Sequence, residues 1–153
     1  MLIRKKRGHG KGKFNGPGGK LDPGETPLQC ALRETREEVG IAVPSATLKA
    51  RLRFVDSADD DWLGYVYVAE MPQQVPIETE EAEPFLAPID DLPLHNMWPD
   101  DAVWLPWVLR DQSLTGTFFF ERGVLLRHAI ALTDHLSPDS PHDEDRYVES
   151  VSA

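Results

Sequence analysis

The amino-acid sequence predicts an α+β fold, an α/β/α sandwich built on a mixed β-sheet with two helices. Three observations predict it. The length of 153 residues suits one domain with one core of ordinary size. A segment in the first third of the chain carries complete helix start and stop signals, and a second helix start follows near residue 98. Strand-like apolar runs separated by turn residues fill most of the remaining sequence.

The first twenty residues are basic and rich in glycine. Leu2 and Ile3 resemble the end of a strand, and the glycines that follow predict tight loops and close backbone approaches. The formal net charge of the chain is -10, which disfavours binding to long nucleic acids. A local basic patch on an acidic protein fits a small anionic ligand, although a solvated basic arm is the alternative interpretation. The patch comprises Lys5, Lys6, Arg7, Lys11, Lys13 and Lys20.

The clearest helix runs from Thr26 to Val39. Thr26 is a good N-cap, Pro27 stands at the first helical position, and Gln29 completes a T-x-x-Q capping box. Gly40 is placed to end the helix. The single cysteine, Cys30, is expected on the inner face of this helix, and it excludes an internal disulfide. A reduced, cytoplasmic setting is therefore the default expectation.

Several strands are predicted after this helix. Strand-like runs cover residues 48–55 and 64–71, with an acidic turn at 56–61 between them. Two final strands are expected at residues 117–121 and 124–132, although the second run also fits a helix.

A second helix is predicted toward the C-terminal side. Residues 84–93 read as a short strand and a turn, and Trp98 to Asp101 read as a helix start that continues over residues 102–109. The domain is expected to cover residues 1–136, followed by an acidic, disordered tail at 137–153. No apolar run approaches the length of a membrane span, and the N-terminus lacks the apolar stretch of a signal peptide.

Three glutamates on the first helix point to metal chemistry. Glu34, Glu37 and Glu38 lie at i, i+3 and i+4, so they share one helix face and repel one another. A divalent cation removes that repulsion, and carboxylate oxygens at this spacing suit Mg²⁺ or Mn²⁺ rather than zinc. The alternative is a solvated face on which Arg33 and Arg36 are the partners.

The surroundings of these glutamates resemble a known motif. From Gly19 to Ile41 the chain reads G-x5-E-x7-R-E-T-R-E-E-V-G-I. This resembles the Nudix box, G-x5-E-x7-R-E-U-x-E-E-x-G-U, in which U is aliphatic. Every invariant residue of the motif is present, and Thr35 at an aliphatic position is the one departure. The resemblance implies a Nudix fold and a metal-dependent hydrolase of nucleoside polyphosphates.

The resemblance also implies roles for individual residues. Glu34, Glu37 and Glu38 would hold divalent ions, Mg²⁺ or Mn²⁺, and the backbone carbonyl of Gly18 would add a ligand. Arg33 would orient a glutamate and offset its charge. Glu81 occupies the place of a further metal ligand or base, with Glu80 as a competing neighbour. Which glutamate is the catalytic base stays open.

A second likeness extends beyond the box. K-K-R-G at residues 5–8 and W-P-D-D at residues 98–101 look like the animal Nudix enzymes that sanitise oxidised purine nucleotides. The likeness implies that Trp98 stacks on a purine while Asp100 and Asp101 read its edge; read without it, Trp98 is core and one aspartate is an N-cap. Further candidate substrate contacts are Lys5, Asn15, Pro17, Gly18, Gly19, Lys20 and Pro99.

These resemblances define the expected function and its alternatives. The expectation is hydrolysis of purine nucleoside triphosphates such as 8-oxo-dGTP to the monophosphate and pyrophosphate, with a small nucleotide as the only partner and neither polymeric nucleic acid nor membrane. One alternative is another Nudix substrate, such as ADP-ribose or a dinucleotide. The other alternative is a nucleotide-binding regulator without hydrolysis.

Two departures from these enzymes bear on the fold and the pocket. His9 stands where the likeness suggests an aromatic pocket residue, so substrate choice is expected to differ. Relatives also carry a first strand ahead of the K-K-R-G segment, and here it is either absent or encoded upstream of Met1. A missing strand leaves a sheet edge unpaired. We expect a monomer if that strand is present, and association between chains through the unpaired edge if it is absent.

Overall fold

The computed structural model describes residues 1–58 and 60–139, and the backbone of residues 148–149. The chain divides into two compact units, Met1–Thr47 with Ala69–Trp98 and Leu48–Val68 with Pro99–Ala153. The elements in chain order are β1 (Leu2–Lys5), β2 (Phe14–Asn15), α1 (Pro27–Val39), β3 (Thr47–Asp56), β4 (Trp62–Val68), β5 (Ala82–Phe85), a 3-10 turn (Leu94–Asn96), α2 (Asp101–Val108), β6 (Leu114–Glu121), β7 (Val124–Leu132) and β8 (Val148–Glu149).

The first unit contains a small antiparallel sheet in the order β2-β1-β5. The central strand β1 places Ile3 opposite Asn15 of β2 and Pro84 of β5. Ile3 is completely buried, and it packs with three residues of α1, the following loop and β5: Val39, Ile41 and Ala82. The core of this unit therefore joins the basic N-terminal segment, the end of the glutamate helix and the strand that follows Glu81.

Helix α1 begins and ends as predicted. The Thr26 hydroxyl accepts a hydrogen bond from the Gln29 amide at 3.2 Å, and the Gln29 side chain accepts one from the Thr26 amide at 2.9 Å. Gly40 adopts a left-handed conformation, with φ of 72°, and its amide donates to the Arg36 carbonyl. The Thr35 hydroxyl donates to the Ala31 carbonyl at 2.7 Å, so the unusual polar residue in the motif is satisfied within the helix.

The second unit contains a mixed sheet in the order β4-β3-β6-β7-β8. Strands β3 and β6 are parallel, whereas β6 and β7 form an antiparallel pair. An apolar cluster packs helix α2 against this sheet; its buried members are Ala50, Leu52, Trp104, Val108, Leu114 and Phe118. The run at 124–132 is a strand rather than a helix, because its backbone pairs with β6 along its whole length.

Element boundaries differ from expectation at two places. Strand β5 covers Ala82–Phe85, shorter and earlier than the predicted segment at 84–93. Asp100 occupies the N-cap position of α2, but its side chain makes no capping hydrogen bond.

The predicted disorder of residues 137–153 falls mostly on residues outside the described ranges; Val148–Glu149 pairs with β7. Among the residues described, no helix is long and apolar enough to cross a membrane.

Candidate active site

Arg33 organises three of the motif carboxylates. Its guanidinium donates to both carboxylate oxygens of Glu25, through Nε at 2.8 Å and Nη2 at 2.9 Å. Its Nη1 donates to Glu34 at 2.8 Å and to Glu37 at 3.1 Å. The hydrogen bond from Arg33 lowers the pKa of Glu25 to about 2. One arginine therefore offsets the negative charge of three neighbouring glutamates.

Glu38 has different surroundings from its neighbours on the helix. Its side chain is only 1% exposed, whereas that of Glu37 is 58% exposed. One carboxylate oxygen accepts a hydrogen bond from the Gly18 amide at 3.0 Å, and the other lies 3.4 Å from the Lys5 ammonium. Burial raises the pKa of Glu38, and the Gly18 amide and Lys5 act in the opposite direction. A carboxylate is thus held deep against the glycine-rich loop.

The three glutamates share a helix face, but the carboxylate of Glu38 has different partners from those of Glu34 and Glu37. Arg33 binds Glu34 and Glu37, while Glu38 faces Gly18 and Lys5. Across the described part of the chain, no group of three or more acidic, histidine or cysteine side chains converges in a way that could hold a metal ion. Helical spacing places the three side chains on one face, and the ion pairs with Arg33 and Lys5 determine the positions of their carboxylates.

The ligand atoms at this end of the helix are nevertheless of the kind that a hard divalent cation prefers. A Cβ atom at Gly19 would lie 2.3 to 2.7 Å from the Glu34 carboxylate, so that carboxylate lies directly against the loop backbone. The adjacent Gly18 amide binds Glu38. Two carboxylates therefore contact one short loop, and their donors are all oxygen, the type that Mg²⁺ and Mn²⁺ prefer.

Glu81 lies among the basic residues of the N-terminal segment. Its exposed carboxylate pairs with Arg7, and its backbone carbonyl accepts from the Lys6 amide at 2.8 Å. A surface depression of about 230 Å³ is lined by basic residues and a glycine, namely Arg4, Lys5, Lys6, Lys11 and Gly12. Arg4, Lys5 and Lys6 each pair with a glutamate, so the positive charge of this lining is partly offset. Sequence reasoning missed the Arg7 pairing; the only signal was an acidic run at 78–83 with a basic run near the N-terminus.

Two of the remaining predicted contacts lie in the first unit, Asn15 at the end of β2 and Lys20 in the loop that follows it. Lys20 is exposed, and its carbonyl accepts from Arg33 Nη2 at 3.2 Å. The Asn15 side-chain oxygen accepts from the Gly16 amide at 3.0 Å, so it shapes its own loop. Pro17 is half-buried and Pro99 is exposed.

Trp98 is half-buried and is covered on one side by the glycine-rich loop. The His9 ring stacks on it with centroids 5.1 Å apart and planes within 9°. The Lys13 ammonium lies 5.6 Å from the indole centroid and donates to the Met97 carbonyl at 3.2 Å. A Cβ at Gly10 would lie 3.0 Å from the indole. The departure noted at His9 thus places an imidazole against the predicted stacking residue.

The two aspartates of the W-P-D-D segment are both buried, with 5% of Asp100 and 3% of Asp101 exposed. Asp100 accepts a hydrogen bond from the Trp104 indole N–H at 3.0 Å. Burial raises the pKa of Asp100, and the bond from Trp104 only partly opposes this. Asp101 is the first residue of α2. Asp100 is therefore a buried carboxyl group bound to an indole rather than a helix cap.

Comparisons with known proteins agree with these features. A family model described as the NUDIX domain matches residues 1–108. A zebrafish protein named oxidized purine nucleoside triphosphate hydrolase is 34% identical over 132 residues, which cover 85% of each chain. The mouse protein of the same name is 34% identical over 122 residues, which cover 79% of this chain and 78% of the mouse protein.

Solved structures point to the same fold. The crystal structure of a MutT protein from Bacillus halodurans superposes with a TM-score of 0.59 at 27% identity, covering 84% of this chain and 87% of that one. A MutT Nudix hydrolase from Burkholderia pseudomallei superposes with a TM-score of 0.54 at 34% identity, covering 60% of this chain and 74% of that one. The predicted α+β Nudix fold is confirmed. With the complete motif on α1 and a family match over residues 1–108, this chain belongs to the Nudix family of hydrolases.

Proposed function

We propose that this protein hydrolyses purine nucleoside triphosphates, including oxidised ones such as 8-oxo-dGTP, to the monophosphate and pyrophosphate, with Mg²⁺ as the preferred cation. The zebrafish and mouse relatives, whose names state oxidized purine triphosphates as substrates, support the choice of substrate. The observation that carries the chemistry is the contact of Glu34 and Glu38 with one glycine loop.

The mechanism follows from the surroundings of each residue. Glu34, Glu37 and Glu38 would hold the cation with the Gly18 carbonyl, and the cation would polarise phosphate oxygens and activate water. Arg33 keeps Glu34 and Glu37 oriented and limits their mutual repulsion.

The remaining charged residues serve the substrate and the attacking water. Lys5, at the basic depression, attracts phosphate oxygens, and Lys20 adds positive charge from the loop. Glu81 is proposed as a further metal ligand or as the base that takes a proton from the attacking water. In either role its exposed carboxylate would have to give up the ion pair with Arg7.

Trp98, Asp100 and Asp101 are proposed as the purine contacts, each on its own surroundings. A half-buried indole such as Trp98 offers base stacking worth about 1–3 kcal/mol. Burial raises the pKa of Asp100, which favours its protonated form; a protonated Asp100 would donate a hydrogen bond and an ionised Asp101 would accept one. Such a pair would match an oxidised guanine, whose N7 carries a hydrogen. Asn15, Pro17, Gly18, Gly19 and Pro99 complete the proposed substrate contacts.

The decisive experiment is a pyrophosphate-release panel. The substrates are 8-oxo-dGTP, 2-hydroxy-dATP, dGTP, ADP-ribose and a dinucleotide, each assayed with Mg²⁺, with Mn²⁺ and with a chelator. We expect monophosphate and pyrophosphate from purine triphosphates only when a divalent cation is present. Preferred cleavage of ADP-ribose or the dinucleotide would favour the other Nudix substrates, and tight nucleotide binding without turnover would indicate a regulator.

A single substitution tests the role of the buried glutamate. Glu38→Gln keeps the size of the side chain and an oxygen for the Gly18 amide but removes the charge. Because a metal ion contributes several kcal/mol to catalysis, turnover should fall by about 100-fold or more. Glu83→Gln is the matched control, since Glu83 pairs with Arg4 on the surface. Parental turnover by Glu38→Gln would refute the assignment.

The setting and assembly belong to the same proposal. A monomer in a reducing cytoplasmic compartment accords with Cys30, which is buried and whose pKa is raised to about 11 by burial, so that the thiol stays protonated. Residues 1–136 are proposed as the catalytic domain and 137–153 as a dispensable tail. Light scattering on the full chain tests the assembly, and nucleotide hydrolysis by a chain ending at residue 136 tests the domain limits; a dimer, or lost turnover after truncation, would contradict the proposal.

A further inference from the structure

We propose that Thr79 is a positioning residue whose hydroxyl sets the place of Glu81 relative to the end of helix α1 at Glu38. The proposal rests on the hydrolytic function proposed above. It assigns no contact with substrate to Thr79, which acts through the backbone that carries Glu81.

The Thr79 hydroxyl makes three hydrogen bonds. It donates to the Glu38 carbonyl at 2.9 Å and accepts from the Glu81 amide at 3.3 Å and the Ala82 amide at 3.2 Å. One donor and two acceptor sites are the full capacity of a hydroxyl group. The Glu38 carbonyl belongs to the last turn of α1, where carbonyls have no partner within the helix. A single oxygen therefore satisfies the helix end and organises the turn that carries Glu81.

The same turn is fastened to strand β1 from the other side. The Thr79 amide donates to the Ala82 carbonyl at 2.9 Å, which closes the turn, and the Lys6 amide donates to the Glu81 carbonyl at 2.8 Å. The Lys6 ammonium donates to the Thr79 carbonyl at 2.6 Å and to the Glu78 carboxylate at 2.8 Å. Ala82 is fully buried. The backbone of Glu81 is thus fixed on two sides, while its carboxylate remains exposed.

The connection reaches Glu38 at both its backbone and its side chain. Thr79 binds the carbonyl of Glu38, and the Gly18 amide binds the carboxylate. Removal of the Thr79 hydroxyl would leave the Glu38 carboxylate with its own partners but would free the Glu81 and Ala82 amides. The effect should therefore appear in the placement of Glu81 and in turnover rather than in nucleotide binding.

Two substitutions and one matched control test the proposal. Thr79→Val keeps the shape of the side chain and removes the hydroxyl, whereas Thr79→Ser keeps the hydroxyl. Thr35→Val is the control, because it removes a hydroxyl that donates at 2.7 Å to the Ala31 carbonyl of the same helix, outside the turn that carries Glu81. Thr79→Ala replaces Thr79→Val if the extra methyl group prevents folding.

Three measurements on the full chain distinguish positioning from general stability. Amide hydrogen exchange should become about tenfold faster at Glu81 and Ala82 in Thr79→Val, as the loss of one hydrogen bond implies. Affinity for Mn²⁺ alone, or kcat for the best nucleotide, should fall about 10–100-fold with KM nearly unchanged, as for other residues that orient catalytic groups. Thr79→Ser should restore the parental values, and Thr35→Val should keep them.

Some outcomes would overturn the proposal. Unchanged exchange at both amides in Thr79→Val would mean that the hydroxyl does not hold the turn. Faster exchange with parental kcat and parental Mn²⁺ affinity would mean that the turn does not serve the site. If the parental protein cleaves no nucleotide, the hydrolytic function fails separately. The Thr79 proposal is then decided by Mn²⁺ affinity, where a loss restored by Thr79→Ser supports it and an unchanged value refutes it.

Discussion

Each of the two units is stabilised internally by a different kind of interaction. In the first unit, four buried apolar residues are supplemented by charged hydrogen bonds, chiefly those of Arg33 and Glu38. In the second unit, a larger cluster that includes Trp104 and Phe118 packs a helix against a sheet. Polar contacts are directional, whereas apolar packing depends mainly on volume. Substitutions among the charged hydrogen bonds of the first unit should therefore change chemistry, and those in the apolar cluster of the second unit should change stability.

Two glycines make this contrast testable with one kind of substitution. A Cβ at Gly19 would collide with the Glu34 carboxylate, the flexible end of a long side chain. A Cβ at Gly116 would lie 2.9 Å from Cε2 of Phe118 and 3.2 Å from Cδ2 of Leu52, both in the apolar cluster. The Glu34 carboxylate can move away, whereas the Phe118 and Leu52 side chains cannot, because they lie in a closely packed interior.

The largest effect is expected for Gly19→Ala. The methyl group displaces the Glu34 carboxylate, and a displacement of about 1 Å at a catalytic group can cost roughly 100-fold in rate. Thermal unfolding should change little, because the side chain that moves is flexible. The measurements are kcat/KM for the best nucleotide and the unfolding midpoint. Gly16→Ala is the control, since a Cβ there meets no heavy atom within 4 Å. Parental turnover in Gly19→Ala would mean that the position of Glu34 is unimportant.

An intermediate effect, on stability rather than on turnover, is expected for Gly116→Ala. Added volume in a packed core costs about 1–3 kcal/mol, so the free energy of unfolding should fall by that amount. Turnover should stay near the parental value at temperatures where the variant is folded. Urea titration measures the first quantity and nucleotide hydrolysis the second. A large loss of turnover in fully folded protein would erase the proposed distinction between the units.

The smallest effect concerns Asp100, a buried carboxyl group of the second unit. Burial raises its pKa above the ordinary value of 3.8, so the folded state binds the proton more tightly than the unfolded state. Asp100 therefore contributes its full stabilisation below its ordinary pKa of 3.8, and this contribution declines as the pH rises toward the folded-state pKa. Asp100→Asn keeps an acceptor for Trp104 and should remove this decline. Urea midpoints of both proteins, measured from about pH 4 to about pH 8, check the sign. Parallel curves would contradict it.

Elements with local signals were predicted close to their observed bounds, whereas the sequence left open or misplaced two elements that only pairing with a neighbouring strand fixes. The capping box at Thr26 and Gln29 and the left-handed Gly40 require only neighbouring residues. The run at 124–132 left helix and strand open, because only its pairing with β6 decides between them. Strand β5 begins at Ala82 and contains Pro84, which is tolerated because β5 lies at the edge of its sheet. Neither its position nor its pairing is visible in a local pattern.

The order of residues along the chain was sufficient for the family and the glutamate helix, because a contiguous motif and helical spacing encode them, and it predicts the oxygen ligands of the proposed metal site. The choice of partner for each side chain was decided by the folded structure. Arg33 binds Glu25, Glu34 and Glu37, Glu38 turns into the glycine loop, and His9 covers Trp98. Thr79 links the end of the helix to Glu81 across about forty residues of chain. These choices depend on which partner a folded backbone brings within hydrogen-bonding distance, and no periodicity in the sequence records that.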